Sequence, residues 1–204
     1  MLRALIAALG LWLAAAPASA QSLEALFSRM ASIEALECHF REEKRIALLS
    51  SPIVTEGEIH YLRPGRLARR ITAPSPQVIL IDGASLSMWD GAREERLDLS
   101  SQPVVRSFVD SILALLAGDR AALERSYRLS LTAEGDGYAL TLTPRAAPLT
   151  EFLASIRFTL SRGYDLVQMQ LTETSGDVAT TVFSAVDDDR RYTDAERRRI
   201  FSLH

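Results

Sequence analysis

Cysteine is almost missing from this chain: Cys38 stands alone among 204 residues. A disulfide framework is thereby excluded, and stability must come from an ordinary core, which a chain of this length can bury. Histidine is nearly as scarce, with His39, His60 and the terminal His204, and none has a Cys, Asp or His at ligand spacing. Cys38 and His39 do not make a nucleophile–base dyad, because neighbours on a strand point to opposite faces. Cys38 reads instead as a small buried hydrophobe. A phosphate-binding glycine loop is also lacking. Gly83-Ala84-Ser85-Leu86-Ser87 fails the nucleophile-elbow pattern at its last glycine. Asp187-Asp188-Asp189 lacks the Gly and the distal Glu of a calcium loop and reads as a solvated turn. No enzyme, cofactor or metal is expected.

Nor does either charge sign dominate. The formal charge is −3, from 23 basic and 26 acidic residues, which argues against nucleic acid or an anionic membrane as partner. The basic clusters at Arg41 to Arg45, Arg63 to Arg70 and Arg190 to Arg199 are interleaved with acids or broken by turns, as on a solvated sheet face. Long apolar runs are confined to Leu5–Ala16, behind Arg3 and ahead of Ala18-Ser19-Ala20. That is the pattern of a secretory signal peptide over 1–20, cleaved after Ala20, with the mature chain 21–204 as one domain. Without Arg3 the mature chain carries 22 basic residues against 26 acidic, a charge of −4.

What is present is alternation. Ile53 to Asp90 reads in twos as a meander of short strands: Ile59 and Tyr61 on one face, Glu58 and His60 on the other. Arg63-Pro64-Gly65 and Asp82-Gly83 mark the corners. Before it, Ser22–Leu36 has a helical stripe of Leu23, Leu26, Phe27, Met30 and Ile33, and Glu37–Leu49 reads as a long strand. Glu42 and Lys44 interrupt the apolar face of that strand. After it comes a charged strand over 93–99, then a helix from Val104 to Ala117, capped by Ser100 or Ser101 and led by Pro103. Phe108, Ile112 and Leu116 belong to an apolar surface on this helix that is broader than its polar one, so it needs cover on more than one side. Gly118 ends it. A helical turn or two over 120–126 and five further strands to Val186 follow, then a short helix from Thr193. The fold class is α+β: one strongly curved antiparallel sheet wrapped around helices.

The sequence resembles the outer-membrane lipoprotein carrier (LolA) family. The resemblance lies in the N-terminal amphipathic helix, Phe40, Gly57-Glu58-Ile59-His60-Tyr61-Leu62-Arg63-Pro64, and Pro76 with Val78-Ile79-Leu80-Ile81-Asp82-Gly83. It continues through Leu86, Trp89, Tyr138 to Pro144 and Phe158. Where many members place aromatic residues after Arg-Pro, this chain has Leu67-Ala68-Arg69. The resemblance implies a monomeric periplasmic carrier that passes acyl chains of a lipoprotein or lipid from an inner-membrane donor complex to an outer-membrane acceptor. It also implies an incomplete barrel covering an apolar cavity lidded by helices, with Arg63 closing the lid. The expected cavity lining is Phe40, Ile59, Tyr61, Leu67, Ile79, Leu86, Met88, Phe108, Ile112, Leu116, Leu140 and Phe158. The alternative is a sensor or regulator that binds acylated ligands in the same cavity and signals to a protein partner.

Overall fold

The computed structural model describes the backbone of residues 18–204 and the side chains from residue 23 onward. The signal-peptide expectation over 1–20 therefore lies outside the described residues, apart from the three that begin the first helix. Four helices and eleven strands follow. They are α1 (Ala18–Ala31), β1 (Ala35–Arg45), β2 (Ile53–Leu62), β3 (Arg66–Ala73), β4 (Gln77–Asp82), β5 (Ser85–Trp89) and β6 (Glu94–Asp98). Then come α2 (Pro103–Leu116), α3 (Arg120–Ser126), β7 (Tyr127–Glu134), β8 (Gly137–Pro144), β9 (Leu153–Leu160), β10 (Leu166–Glu173), β11 (Val178–Asp187) and α4 (Asp194–Ile200).

All eleven strands form one antiparallel sheet, in the order β6-β5-β4-β3-β2-β1-β11-β10-β9-β8-β7. Each half is a plain meander, and the long β1 joins them by pairing with β2 on one side and β11 on the other. The sheet does not close, so β6 and β7 remain edges. Charge blunts the first of these: Glu94, Glu95 and Arg96 make β6 a poor template for pairing with another chain. Register shifts in the β1–β11 and β2–β3 ladders mark bulges, which add local twist.

One face carries α1, α2 and α3. Leu26, Phe27 and Met30 of α1 pack with Leu115 of α2 and Leu123 of α3 on Leu36, Cys38, Tyr61, Leu140, Leu142, Ile156 and Phe158 of the sheet. Burial pushes the Cys38 thiol up to about 12, so it stays protonated as a core hydrophobe. His39, next in sequence, is exposed on the other face.

The opposite face is covered in its middle by α4, over Ala35, Ala68, Tyr192 and Ile200. Here Arg70 and Arg190 are not solvated, which corrects the reading from sequence for these two, while Arg41, Arg45 and Arg197 to Arg199 are exposed as expected. Arg70 donates to the carbonyls of Arg199, Ile200 and Ser202 at 2.6–3.1 Å. Arg190 bridges Glu37 at 2.7 Å and Glu196 at 2.5 Å. Tyr192 donates to Leu36 O at 2.9 Å, and the buried His60 lies 3.1 Å from the same hydroxyl. Asp188 is no solvated turn either, since it pairs with Arg29 of α1.

Four helix and strand boundaries differ from the periodicity. The first helix ends at Ala31 rather than Leu36, because Ala35 and Leu36 are taken into the β1–β2 ladder opposite Leu62 and Tyr61. Ser22 lies inside α1 rather than at its start. β1 stops at Arg45, and Leu48 is 94% exposed in the turn beyond. The residue before α2 is Gln102, while Ser100 and Ser101 sit in a short 3-10 turn capped by the Asp98 carboxylate.

α4 begins with a reciprocal cap: Thr193 accepts from Glu196 N, and Glu196 accepts from Thr193 N. The Thr193 backbone first, then its hydroxyl and Arg190, hold the Glu196 carboxyl down at about 2, against an ordinary 4.5. A depressed carboxylate adds stability that is complete above its unfolded value and is lost as pH falls through its folded value. The α4 clasp should therefore loosen between about pH 4.5 and 2, seen as faster hydrogen exchange in 194–200 than in the sheet. Thr193→Ala should destabilise by about 1 kcal/mol. Exchange in α4 that does not change across that window would refute this.

Candidate functional site

Arg63 follows β2 at a corner, and its backbone N–H donates to Glu34 O at 2.9 Å. Its guanidinium then reaches two helix ends at once. Nη2 donates to Ala31 O and Ile33 O at 3.0 Å each and lies 3.4 Å from Met30 O, at and just beyond the C-terminus of α1. Nε donates to Ile33 O at 3.2 Å, and Nη1 to Ala117 O, at the C-terminus of α2, at 3.4 Å. Carbonyls at a helix C-terminus have no intrahelical donor and carry the negative end of the helix dipole, so a rigid, permanently charged fork suits them. The Glu34 carboxylate at 3.7 Å is 79% exposed and adds little.

The two ends meet because of Gly118. Ala117 closes α2, Gly118 has φ +69°, and the N–H groups of Gly118 and Asp119 donate to Leu115 O and Ala114 O. This is the left-handed helix stop that glycine favours. A Cβ on Gly118 would lie 2.5 Å from Phe27 O and Ala31 N. The backbones of α1 and of the α2 terminus are therefore in contact beneath Arg63.

Below the helices lie two apolar clusters. Tyr61, Leu140 and Phe158 are buried in the larger, with Ile59, Phe108 and Leu116 half-buried against it. Leu67 and Leu86 are buried in the smaller with Leu99 and Val109, flanked by Ile79, Met88, Ile112 and again Leu116. Leu113 and Leu116 touch both clusters, so the helix that reads as over-apolar in sequence does cover two surfaces. Phe40 is in neither. It is buried, and its ring lies 4.4 Å from the Arg69 guanidinium. Tyr61 is wholly buried with its hydroxyl unpartnered among the described residues, which makes the closed packing less favourable than an all-apolar one.

Sequence reasoning noted Glu42 and Lys44 as breaks in this same face without giving them a role, and it passed over Arg69. Glu42, Lys44 and Arg69 stand at inward-phase positions, where alternation calls for apolar residues, and that phase was the available signal. Arg69 pairs with Glu42 at 3.1 Å, Thr181 donates to the same carboxylate at 3.0 Å, and Lys44 pairs with Glu173 at 2.8 Å. Among the described residues no group of three or more His, Cys, Asp or Glu is placed to hold a metal ion. No described helix is long and apolar enough to cross a membrane.

An unclosed antiparallel sheet, lidded on its apolar face by helices whose C-termini share one arginine, defines a class of lidded half-barrels. The family model described as "Outer membrane lipoprotein carrier protein LolA" matches residues 31–196, and the chain belongs to that family. It is 25% identical over 198 residues to an outer-membrane lipoprotein carrier protein of Pseudomonas putida (strain GB-1), covering 94% of this chain and 90% of the relative. A second such protein, from Chromobacterium violaceum, is 29% identical over 185 residues, covering 90% of this chain and 84% of the relative. Among solved structures, the Pseudomonas aeruginosa MucA/MucB complex superposes with a TM-score of 0.50 at 14% identity, over 85% of this chain and 59% of that one. That likeness is one of fold.

Proposed function

We propose that the protein is a non-enzymatic periplasmic carrier, exported by a signal peptide and acting as a monomeric single domain, 21–204. It shields the acyl chains of a lipoprotein or lipid between an inner-membrane donor complex and an outer-membrane acceptor. The observation that carries this reading is Arg63, which joins the ends of α1 and α2 above the two apolar clusters.

The energetics explain why a carrier is built this way. Each methylene exposed to water costs ~0.8 kcal/mol, so a chain of about 14 methylenes cannot cross an aqueous gap unaided, at roughly 11 kcal/mol. The face beneath the helices can take such a chain only if α1 and α2 move off it. Phe27, Met30, Phe108 and Ile112 occupy in the closed form the surface that a chain would use. Closing and loading are thus alternatives. Arg63 biases the protein towards closure, and closure displaces the cargo.

The test is to purify the protein from its native envelope, extract its ligands for mass spectrometry, and follow a fluorescent acyl lipid from loaded protein to acceptor vesicles. Acyl-bearing ligands and net transfer are expected. A ligand that is bound and never handed on would favour the sensor instead, and a preparation that binds no acyl compound would rule out both.

A further inference from the structure

The Arg69 and Glu42 pair is out of place on a lipid-carrying face. Arg69 lies two residues along β3 from the buried Leu67 and shares its face, between Ile59 on β2 and Ile79 on β4. Both isoleucines are half-buried against the lid clusters. Glu42 lies between Thr55 on β2 and Thr181 on β11. The polar patch therefore adjoins the apolar surface proposed for the acyl chains.

What these groups still have to offer is specific. Arg69 Nη2 forms an ion pair with Glu42 Oε1 at 3.1 Å, but its Nε is buried without a partner among the described residues. Thr55 Oγ1, opposite Glu42, is in the same condition. Guanidinium has five N–H donors and no acceptor, and Thr adds one O–H beside its two lone pairs, so both unpartnered groups can donate. The charge is not free. Glu42 neutralises Arg69 and is fixed in turn by Thr181. A carboxylate or phosphate entering here would be repelled by the Glu42 charge, whereas a neutral carbonyl has no net charge to repel and can accept from both groups.

We propose that Arg69 and Thr55 form a subsite for the ester carbonyls that join acyl chains to their glyceryl headgroup, while Glu42 disfavours free anions. The proposal rests on the carrier reading and adds to it the part of the cargo that is read. Chains lie on the apolar clusters, and the ester linkage is held where the apolar surface gives way to charge.

Comparing lipids that differ in this linkage alone tests it. A fluorescent displacement assay with the purified protein would use a diacylglycerol, its dialkyl ether analogue of equal chain length, and the free fatty acid. The ether lacks the carbonyls but keeps the chains. Wild type should prefer ester over ether by about tenfold, as two modest hydrogen bonds imply. Arg69→Met should lower that ratio about threefold, to about three, with ether affinity unchanged, which also shows that the variant is folded. Thr55→Val should lower the ratio about threefold and carries the test if Arg69→Met does not fold. Glu42→Gln should raise affinity for the fatty acid. Equal binding of ester and ether by wild type overturns the subsite and leaves the carrier reading intact. A fatty acid bound more tightly than the ester also overturns it, because the donors then serve an anion. If neither neutral lipid binds, the carrier reading and the subsite fall together.

Discussion

Arg63→Leu should leave the sheet folded while shifting the protein from closed to open by about 3 kcal/mol, roughly a hundredfold in the closed-to-open ratio. The figure follows from what is lost. Hydrogen bonds from a charged donor contribute about 1.5–3 kcal/mol each when shielded, and Arg63 makes several to α1 and α2 with a side chain 25% exposed. They share one guanidinium, so they do not add, and two effective bonds are a fair count. Leucine leaves the carbonyls of Ala31, Ile33 and Ala117 without a charged donor, and the partly buried ones reach water better when the helices separate. Nothing in the sheet ladders depends on this side chain, so the melting transition should fall modestly. Under the proposed cycle the consequence is one-sided. Loading requires an open lid and should proceed normally, whereas transfer to acceptor vesicles should slow by one to two orders of magnitude. Arg63→Lys tests the geometry, because an ammonium cannot span both helix ends and should recover only part of the loss. Hand-over at the wild-type rate in Arg63→Leu would show that closure does not drive release.

How much of this was legible beforehand depended on whether a residue's role was local. The strands of the β2–β5 meander were readable because alternation, Pro and Gly are properties of neighbours in sequence. The breadth of the apolar surface on α2 was readable for the same reason, and it foretold cover on two sides. The end of α1 was not, because Ile33 and Leu36 continue the helical stripe. Only the pairing of Ala35 with Leu62 takes them out of it. Arg70 looked like surface charge because its partners are carbonyls at the end of α4, such as Ile200 O 130 residues away, and Arg190 because Glu37, one of its two carboxylates, lies 153 residues away on β1. Arg63 came from the family resemblance, since no local pattern shows that a side chain will bridge two helix ends. Glu42 and Arg69 were visible as breaks in phase, yet a break does not reveal its partner until the register brings β1, β2 and β3 together.

Gly118→Ala should be the most damaging single methyl group in the lid, costing about 3–5 kcal/mol and lowering the melting temperature by roughly 10–15 °C. Two costs coincide there. At φ +69° an L-residue with a Cβ pays about 1–2 kcal/mol in backbone strain. The new Cβ would also sit 2.5 Å from Phe27 O and Ala31 N and 2.8 Å from Ala31 Cα, and backbone cannot swing aside as a side-chain tip can. Relief comes only by moving α1 away from the α2 terminus, which lengthens the Arg63 bonds to both helices and uncovers the apolar clusters. The loss of chain entropy in the unfolded state offsets less than 1 kcal/mol of this. Gly135→Ala separates the two costs: it has φ +54° and nothing within 4 Å of an added Cβ, so it should show the strain alone. Gly118→Ala should therefore lose at least about 2 kcal/mol more than Gly135→Ala in denaturant melts, and should bind an apolar dye at neutral pH where wild type does not. If the two variants melt together, the close approach of α1 to Gly118 is not what holds the lid. If Gly118→Ala is less stable but transfers lipid as wild type does, the lid's docking and its closing are separate properties, and Arg63 serves only the first.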